Sequence, residues 1–170
     1  SGHVKEGEFD TLLEAAGANN NGSTNGDRTN YIVDVPANAL ELALFLESDR
    51  MAYLLDTMTP ARVDGQRDVV KNERRWSVDN QPYGTWWEKL PALAYPPSHP
   101  FHHSLIGSME DLSEASLADV AEFFATYYTP DNAVLSIVGD VDGEEARRLV
   151  QEHFGGIPRG KGRPPLPDMS

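Results

Sequence analysis

The sequence predicts an α+β fold, and three observations carry that expectation. A polar hairpin signal sits early in the chain, a strongly apolar strand-like run lies late in it, and several segments between and around them repeat apolar residues at helical spacing. At 170 residues the chain is long enough for a real hydrophobic core. No internal repeat interrupts the pattern.

In chain order, "GEFDTLLEAAG" reads as a short helix whose stripe is Phe9, Leu12, Leu13 and Ala16, with Gly17 as its stop. The segment "ANNNGSTNGDRTNYIVDVP" comes next as a hairpin with strands at 20–24 and 28–35. Asn25-Gly26 suits a type I′ turn, which needs positive φ at both central residues. The second strand alternates, with Tyr31, Val33 and Val35 on one side, whereas the first is small and polar. Residues 37–55 carry strong helix formers with apolar groups around much of the circumference, which predicts deep burial. "TMTPARV" reads as a break, a second helix begins near Asp64 and ends before Pro82, and a short helix is expected at 85–90. Ser108 and Asp111 form a capping-box pattern, and a second signal at Ser113 and Ser116 precedes a helix bearing Leu117, Val120, Phe123 and Phe124. The run 133–138 is apolar enough for a central strand. "DGEEARRLVQEHFGG" is the last helix, and the Pro- and Gly-rich tail from 159 to 170 reads as a linker.

Composition narrows the function classes. A formal charge of −13 argues against a nucleic-acid binder, which would show a basic face. No apolar run approaches a membrane span, and no signal-peptide pattern opens the sequence. With 39% apolar and 24% charged residues the balance is that of a soluble globular protein, and the absence of cysteine fits either cytoplasm or periplasm without deciding between them. Zero cysteines exclude disulfides and thiolate metal sites, so any metal must use His, Asp or Glu.

Within "RDVVKNERRW", Val69 and Val70 stand four and three residues before Glu73, and Gln66 lies a turn further back on the same stripe. If that face is buried, the carboxylate needs a partner. An arginine such as Arg28, Arg67 or Arg74 would serve, as would solvent; the functional alternatives are metal ligation and general-base work. His99, His102 and His103 cluster in "HPFHH", but the proline-broken spacing suits loop contacts better than a metal site. The polar strand reads equally as a soluble hairpin edge or as an edge that accepts an extended peptide. No nucleophile elbow, phosphate loop or dinucleotide fingerprint is present.

Five ordered stretches, "EGEFDTLLEAAGANNNGSTNGDRTNYIVDVP", "ANALELALFLESDRM", "QRDVVKNERR", "HPFHHSLIGSMEDL" and "YYTPDNAVLSIVGDVD", together resemble the pitrilysin/insulinase family of zinc metallopeptidases, from about Lys5 to Pro158. The resemblance implies helices on a mixed, largely antiparallel sheet, a partial N-terminal peptidase domain over 1–158, and a linker over 159–170 toward a following domain. It also implies hydrolysis of extended peptides with Zn2+ held by an H-x-x-E-H helix and a later glutamate, the position matched by Glu73. Gln66 stands where some members carry a second acidic residue supporting the site. Asn21, Gly22 and Ser23 match the strand that pairs with the substrate backbone.

No H-x-x-E-H occurs in these residues. In the family it lies a short way before the "EGEFD" segment, so the chain is expected to begin after its catalytic helix, to hold no catalytic residue of its own, and to be inactive and metal-free alone. The expected partners are a peptide or unfolded protein substrate and further peptidase-like domains or a homologous subunit. Two alternatives stand beside this reading: a non-catalytic, peptidase-like subunit, and a metal-independent peptide-binding module.

Overall fold

The computed structural model describes residues 3–5, 7–162, 165 and 166. Its elements are α1 (Glu8–Ala15), β1 (Asn19–Thr24), β2 (Thr29–Asp34), α2 (Leu40–Tyr53), α3 (Pro60–Arg74), α4 (Trp86–Ala94), α5 (Met109–Glu114), α6 (Leu117–Tyr127) and α7 (Gly143–Phe154). The fold is α+β, as expected. The sheet of the described residues is the β1–β2 hairpin. The chain groups into two compact units, one of Ser1–Ser23, Asn30–Met58 and Ala121–Pro164, the other of Thr24–Thr29, Thr59–Val120 and Pro165–Ser170.

The first unit is organised by α2. Its low-amphipathicity sequence buries Ala43, Leu44 and Leu46 along with Ser48 and Asp49, which is how an all-round apolar helix behaves. Leu46 packs with Val4 and Leu13, and Phe9, Ala18, Leu42 and Val33 close around them, joining α1 and β2 to α2. Ser48 donates to the Phe45 carbonyl, and Asp49 meets His3 Nδ1 at 2.7 Å. Arg50 lies over the Tyr31 ring, 3.4 Å from its centre, and also pairs with Glu47. Burial and a 3.1 Å bond to the Tyr128 hydroxyl push the Tyr31 phenol up to about 12. Leu149 and Ala146 of α7 are buried too.

The second unit is held by α3 and by the segments C-terminal to it. Thr59 accepts the Arg62 N–H and Pro60 occupies the first helical position, so the "TMTP" break is in fact a helix start four residues earlier than expected. Val63, Arg67, Val70 and Arg74 recur at i, i+4, i+7 and i+11 and form its inward stripe, ending in buried Arg74. A π turn over Arg75–Asp79 closes the helix. Helix α4 runs through Pro91 to Ala94, past the expected end. Ser108 and Asp111 cap α5 reciprocally. A second reciprocal cap, Ser116 with Asp119, starts α6, so the functional pair is one step later than the Ser113–Ser116 signal.

Two further expectations are corrected. The hairpin turn is not type I′, because neither Asn25 nor Gly26 has positive φ. Instead the Asn25 N–H donates to the Arg28 carbonyl at 2.9 Å, and Asn25 Oδ1 accepts the Asp27 and Arg28 N–H groups at 2.9 and 3.0 Å, so the side chain reinforces the turn. Residues 133–138 form no strand here. They are largely uncovered, so the apolar run lacks the neighbours that a central position requires. The tail expected as a linker is tied at its start: Asp131 Oδ1 and Oδ2 accept the Gly160 and Gly162 N–H groups, each at 3.0 Å. Residues 163, 164 and 167–170 of that tail lie outside the described residues.

Candidate functional site

Glu73 ends α3 beside Arg74, and the two neighbours have opposite fates. Consecutive residues on a helix are rotated by about 100°, so burying Arg74 turns Glu73 toward an adjacent face. Arg74 is 8% exposed. Its Nη1 and Nη2 grip both oxygens of Glu88 on α4, the second at 3.0 Å; Nη1 also donates to the Gly107 carbonyl at 2.8 Å, and Asp79 lies 3.6 Å from Nη2. Such forked pairing is geometrically specific. The guanidinium bond holds the Glu88 carboxyl below its ordinary range, and Glu88 in turn raises Arg74.

The stripe of Gln66, Val69 and Glu73 is exposed, with Val69 at 56%. The carboxylate therefore needs no buried compensation within this chain, which corrects the premise that its helical face is covered. Val70 shares the inward stripe with Arg74 instead. Among the described residues no side chain pairs with the Glu73 carboxylate, and its backbone carbonyl accepts the Ser77 hydroxyl at 2.7 Å. Trp76 in the π turn is also exposed.

Gln66 has no described side-chain partner either. Among the described residues no group of three His, Asp or Glu side chains is gathered as a metal site. A protein zinc site takes three or four side-chain ligands.

The histidines go to loop contacts. His99 is buried, stacks on Tyr95 with ring centres 4.4 Å apart, and accepts the Phe101 N–H at its Nδ1. His102 Nδ1 meets the Tyr95 carbonyl at 2.8 Å, so that nitrogen carries the proton. An open cavity of about 560 Å3 in this unit is lined by Asp27, Phe101 and His103 among others, and Glu73 and Gln66 are not part of it.

In the first unit β1 is exposed along its whole length, Asn21, Gly22 and Ser23 included. Asn21 Oδ1 accepts the Gly22 N–H at 2.8 Å. A Cβ at Gly22 would meet Asn30 O at 3.5 Å and the Tyr31 ring at 3.6 Å, ordinary contact distances. Packing inside the chain therefore places no demand for glycine there.

With this geometry in place, known proteins supply the family. Residues 1–99, more than half the chain and including α3, match the model of the insulinase family, peptidase family M16. The chain belongs to this family. Residues 114–170 match the model described as the peptidase M16 inactive domain. Zinc protease PqqE of Helicobacter pylori is 35% identical over 155 residues, covering 89% of this chain and 34% of that protein. The beta subunit of the mitochondrial-processing peptidase of Blastocladiella emersonii is 26% identical over 151 residues, covering 89% of this chain and 32% of that protein. The crystal structure of a protease from Helicobacter pylori superposes with a TM-score of 0.90 at 32% identity, covering 98% of this chain and 40% of that one. The M16 chain described here spans about a third of the length of the curated relatives it matches. No helix among its described residues is long and apolar enough to cross a membrane.

The importance of Arg74 and Glu88 was not anticipated from sequence. The signal was available: the i, i+4, i+7, i+11 stripe from Val63 to Arg74 points inward, and an arginine ending an inward stripe requires an acid.

Proposed function

We propose that this chain is part of the catalytic unit of a zinc-dependent metalloendopeptidase that cleaves extended peptides. In this reading residues 1–158 belong to a partial peptidase domain, residues 159–170 lead toward a following one, and the 170 residues alone are inactive. Glu73 would be one zinc ligand, with the remaining protein ligands coming from polypeptide beyond these residues. The observation that carries the reading is Glu73 itself, an exposed carboxylate without a partner among the described residues, within the part of the chain that matches the insulinase model. Its position is fixed by the Arg74–Glu88 clamp next door. Zinc, when bound by a peptidase, supplies a water that ionises near neutral pH.

The substrate role falls to β1. An exposed strand offers backbone N–H and C=O groups to an extended peptide, so affinity comes from the main chain and sequence preference is modest. Asn21, Gly22 and Ser23 keep that edge low, and the chain's own packing gives no other reason for Gly22. Gln66, one helical stripe with Glu73, would support the carboxylate through water or the substrate rather than as an anion.

The test uses the protein expressed from its uninterrupted native reading frame. Glu73→Gln should remove stoichiometric zinc, measured by elemental analysis, and abolish chelator-sensitive cleavage of an unstructured peptide. Zinc content and cleavage rates that survive Glu73→Gln would overturn the proposal.

A second reading, a non-catalytic peptidase-like subunit, is favoured by the match of residues 114–170 to the inactive-domain model. It predicts an uninterrupted protein that binds peptide, holds no zinc and cleaves nothing.

A further inference from the structure

The open cavity of the second unit, about 560 Å3, has no part in the reading above. Its volume falls within the roughly 300–1,000 Å3 of small-molecule sites. Two pieces of chain form it: the hairpin turn through Gly26 and Asp27, and the loop from Pro100 to Leu105. Both are held in place. On one side Asn25 Oδ1 accepts the Asp27 N–H at 2.9 Å. On the other, the Phe101 N–H donates to His99 Nδ1 at 3.1 Å, and its ring packs edge-on against Tyr95 with centres 5.8 Å apart. The two pieces meet at Gly26, where a Cβ would stand 2.9 Å from Phe101 Cε1. Glycine at this position thus answers to the close approach of the ring and not to a positive φ.

The lining divides by chemistry. Pro100, Phe101 and Leu105 make an apolar wall, and Leu105 is 67% exposed. With histidine neutral, Asp27 is the one lining residue that carries a formal charge. Among the described residues no lysine or arginine pairs with its carboxylate, Arg28 next in sequence included. Residues 96–108, which supply the opposite wall, contain no Asp, Glu, Lys or Arg. The wall therefore brings no competing cation to Asp27.

We infer that this cavity binds an alkylammonium or alkylguanidinium cation, its head on the Asp27 carboxylate and its stem along Pro100, Phe101 and Leu105. An anion would meet Asp27 with like charge. A metal ion would find one carboxylate, since among the described residues no three His, Asp or Glu side chains are gathered. A neutral apolar ligand would cover the carboxylate without pairing it, which is costly. A cation on a methylene stem satisfies both parts of the lining, because such groups lay the stem on apolar surface and keep the head polar. That chemistry is shared by free amines and guanidines and by lysine and arginine side chains of a peptide. The inference does not depend on zinc or on peptidase activity.

Isothermal titration calorimetry tests it on the protein expressed from its uninterrupted native reading frame, with a chelator present so that no cleavage contributes. The probes are n-butylguanidinium and its neutral analogue n-butylurea. The cation should bind at least about 10-fold more tightly than the urea, and Asp27→Asn should erase that difference. Asp27 lies on an exposed turn, so this variant should melt within about 1 °C of the parent. Leu105→Ala should weaken the cation by about 3-fold through loss of contact with its stem. Equal binding of cation and urea by the parent, or a preference for the cation that survives Asp27→Asn, would overturn the inference. Two tripeptides, acetyl-Ala-Arg-Ala-amide and its citrulline counterpart, separate the sources. An arginine preference of about 10-fold or more that Asp27→Asn removes assigns the site to peptide side chains. A preference shown by n-butylguanidinium alone assigns it to free amines and guanidines.

Discussion

Replacing Arg74 with methionine would strike the most committed polar contact in the second unit. The guanidinium is 8% exposed and makes two bonds to Glu88 and one to the Gly107 carbonyl. Methionine fills much of the volume but leaves Glu88, whose side chain is 23% exposed, as a mostly buried charge without its cation. Removing one partner of a buried pair costs about 3–5 kcal/mol, and partial access of Glu88 to water places this case near 3. For a chain of this size that is a fall in melting temperature of roughly 6–12 °C, read by circular dichroism or calorimetry.

A companion variant isolates the cause. Adding Glu88→Leu to Arg74→Met removes the stranded charge, and the double variant should recover part of the loss, because an apolar pair of similar volume can replace a buried ion pair. The same pair sets an acid limit. The folded Glu88 carboxyl is held below its ordinary value near 4.5. Its contribution is therefore fully present above that value and is lost as pH falls through the lowered folded one. Arg74→Met should flatten the acid side of the stability curve below about pH 4.5. A single variant melting within about 2 °C of the parent, or a double variant as damaged as the sum of its parts, would refute the assignment of Arg74 and Glu88 as the clamp.

Other consequences rest on particular atoms. A Cβ at Gly84 would come within 2.0 Å of the Val78 carbonyl oxygen; since that is backbone, Gly84→Ala should cost roughly 2–3 kcal/mol in a urea titration. Ser116→Ala removes the hydroxyl that accepts the Asp119 N–H and donates to its carboxylate, and should cost about 1 kcal/mol by the same measurement. Asp131→Ala releases the Gly160 and Gly162 amides; limited trypsin digestion should then cut after Arg159 and Lys161 several-fold faster with little change in melting temperature.

How much could be read from the sequence was set by how local each signal is. Helix α1, the hairpin and α7 depend on neighbours within a few residues, and their positions were legible to within a residue or two. The start of α3 was misplaced because Thr59-Pro60 carries opposite meanings: a break when proline is taken as a helix terminator, a start when threonine is its cap. The turn type was misread because Asn25 solves the problem with its side chain, leaving Gly26 without the positive φ that the dipeptide suggests. At Glu73 the family resemblance picked out the residue, but burial of its face is a tertiary property. Periodicity placed Val69 and Val70 on one stripe, whereas the fold divides them, Val70 inward with Arg74 and Val69 outward with Glu73.

The division between the residues that are locked and those left open has an energetic consequence. Arg74 is engaged through both terminal guanidinium nitrogens, whereas among the described residues the neighbouring Glu73 carboxylate has no partner; α7 and the Asp131 clasp are fixed, while residues 133–138 between them are largely uncovered. Fully burying a valine or leucine side chain contributes about 1.5–3 kcal/mol. Covering Val134 and Val138, with part of Leu135, would thus add roughly 3–6 kcal/mol, set against a typical domain stability of about 5–15 kcal/mol. A contribution of that size is comparable to a domain's whole stability, so the degree to which residues 133–138 are covered bears directly on how stable the folded protein is.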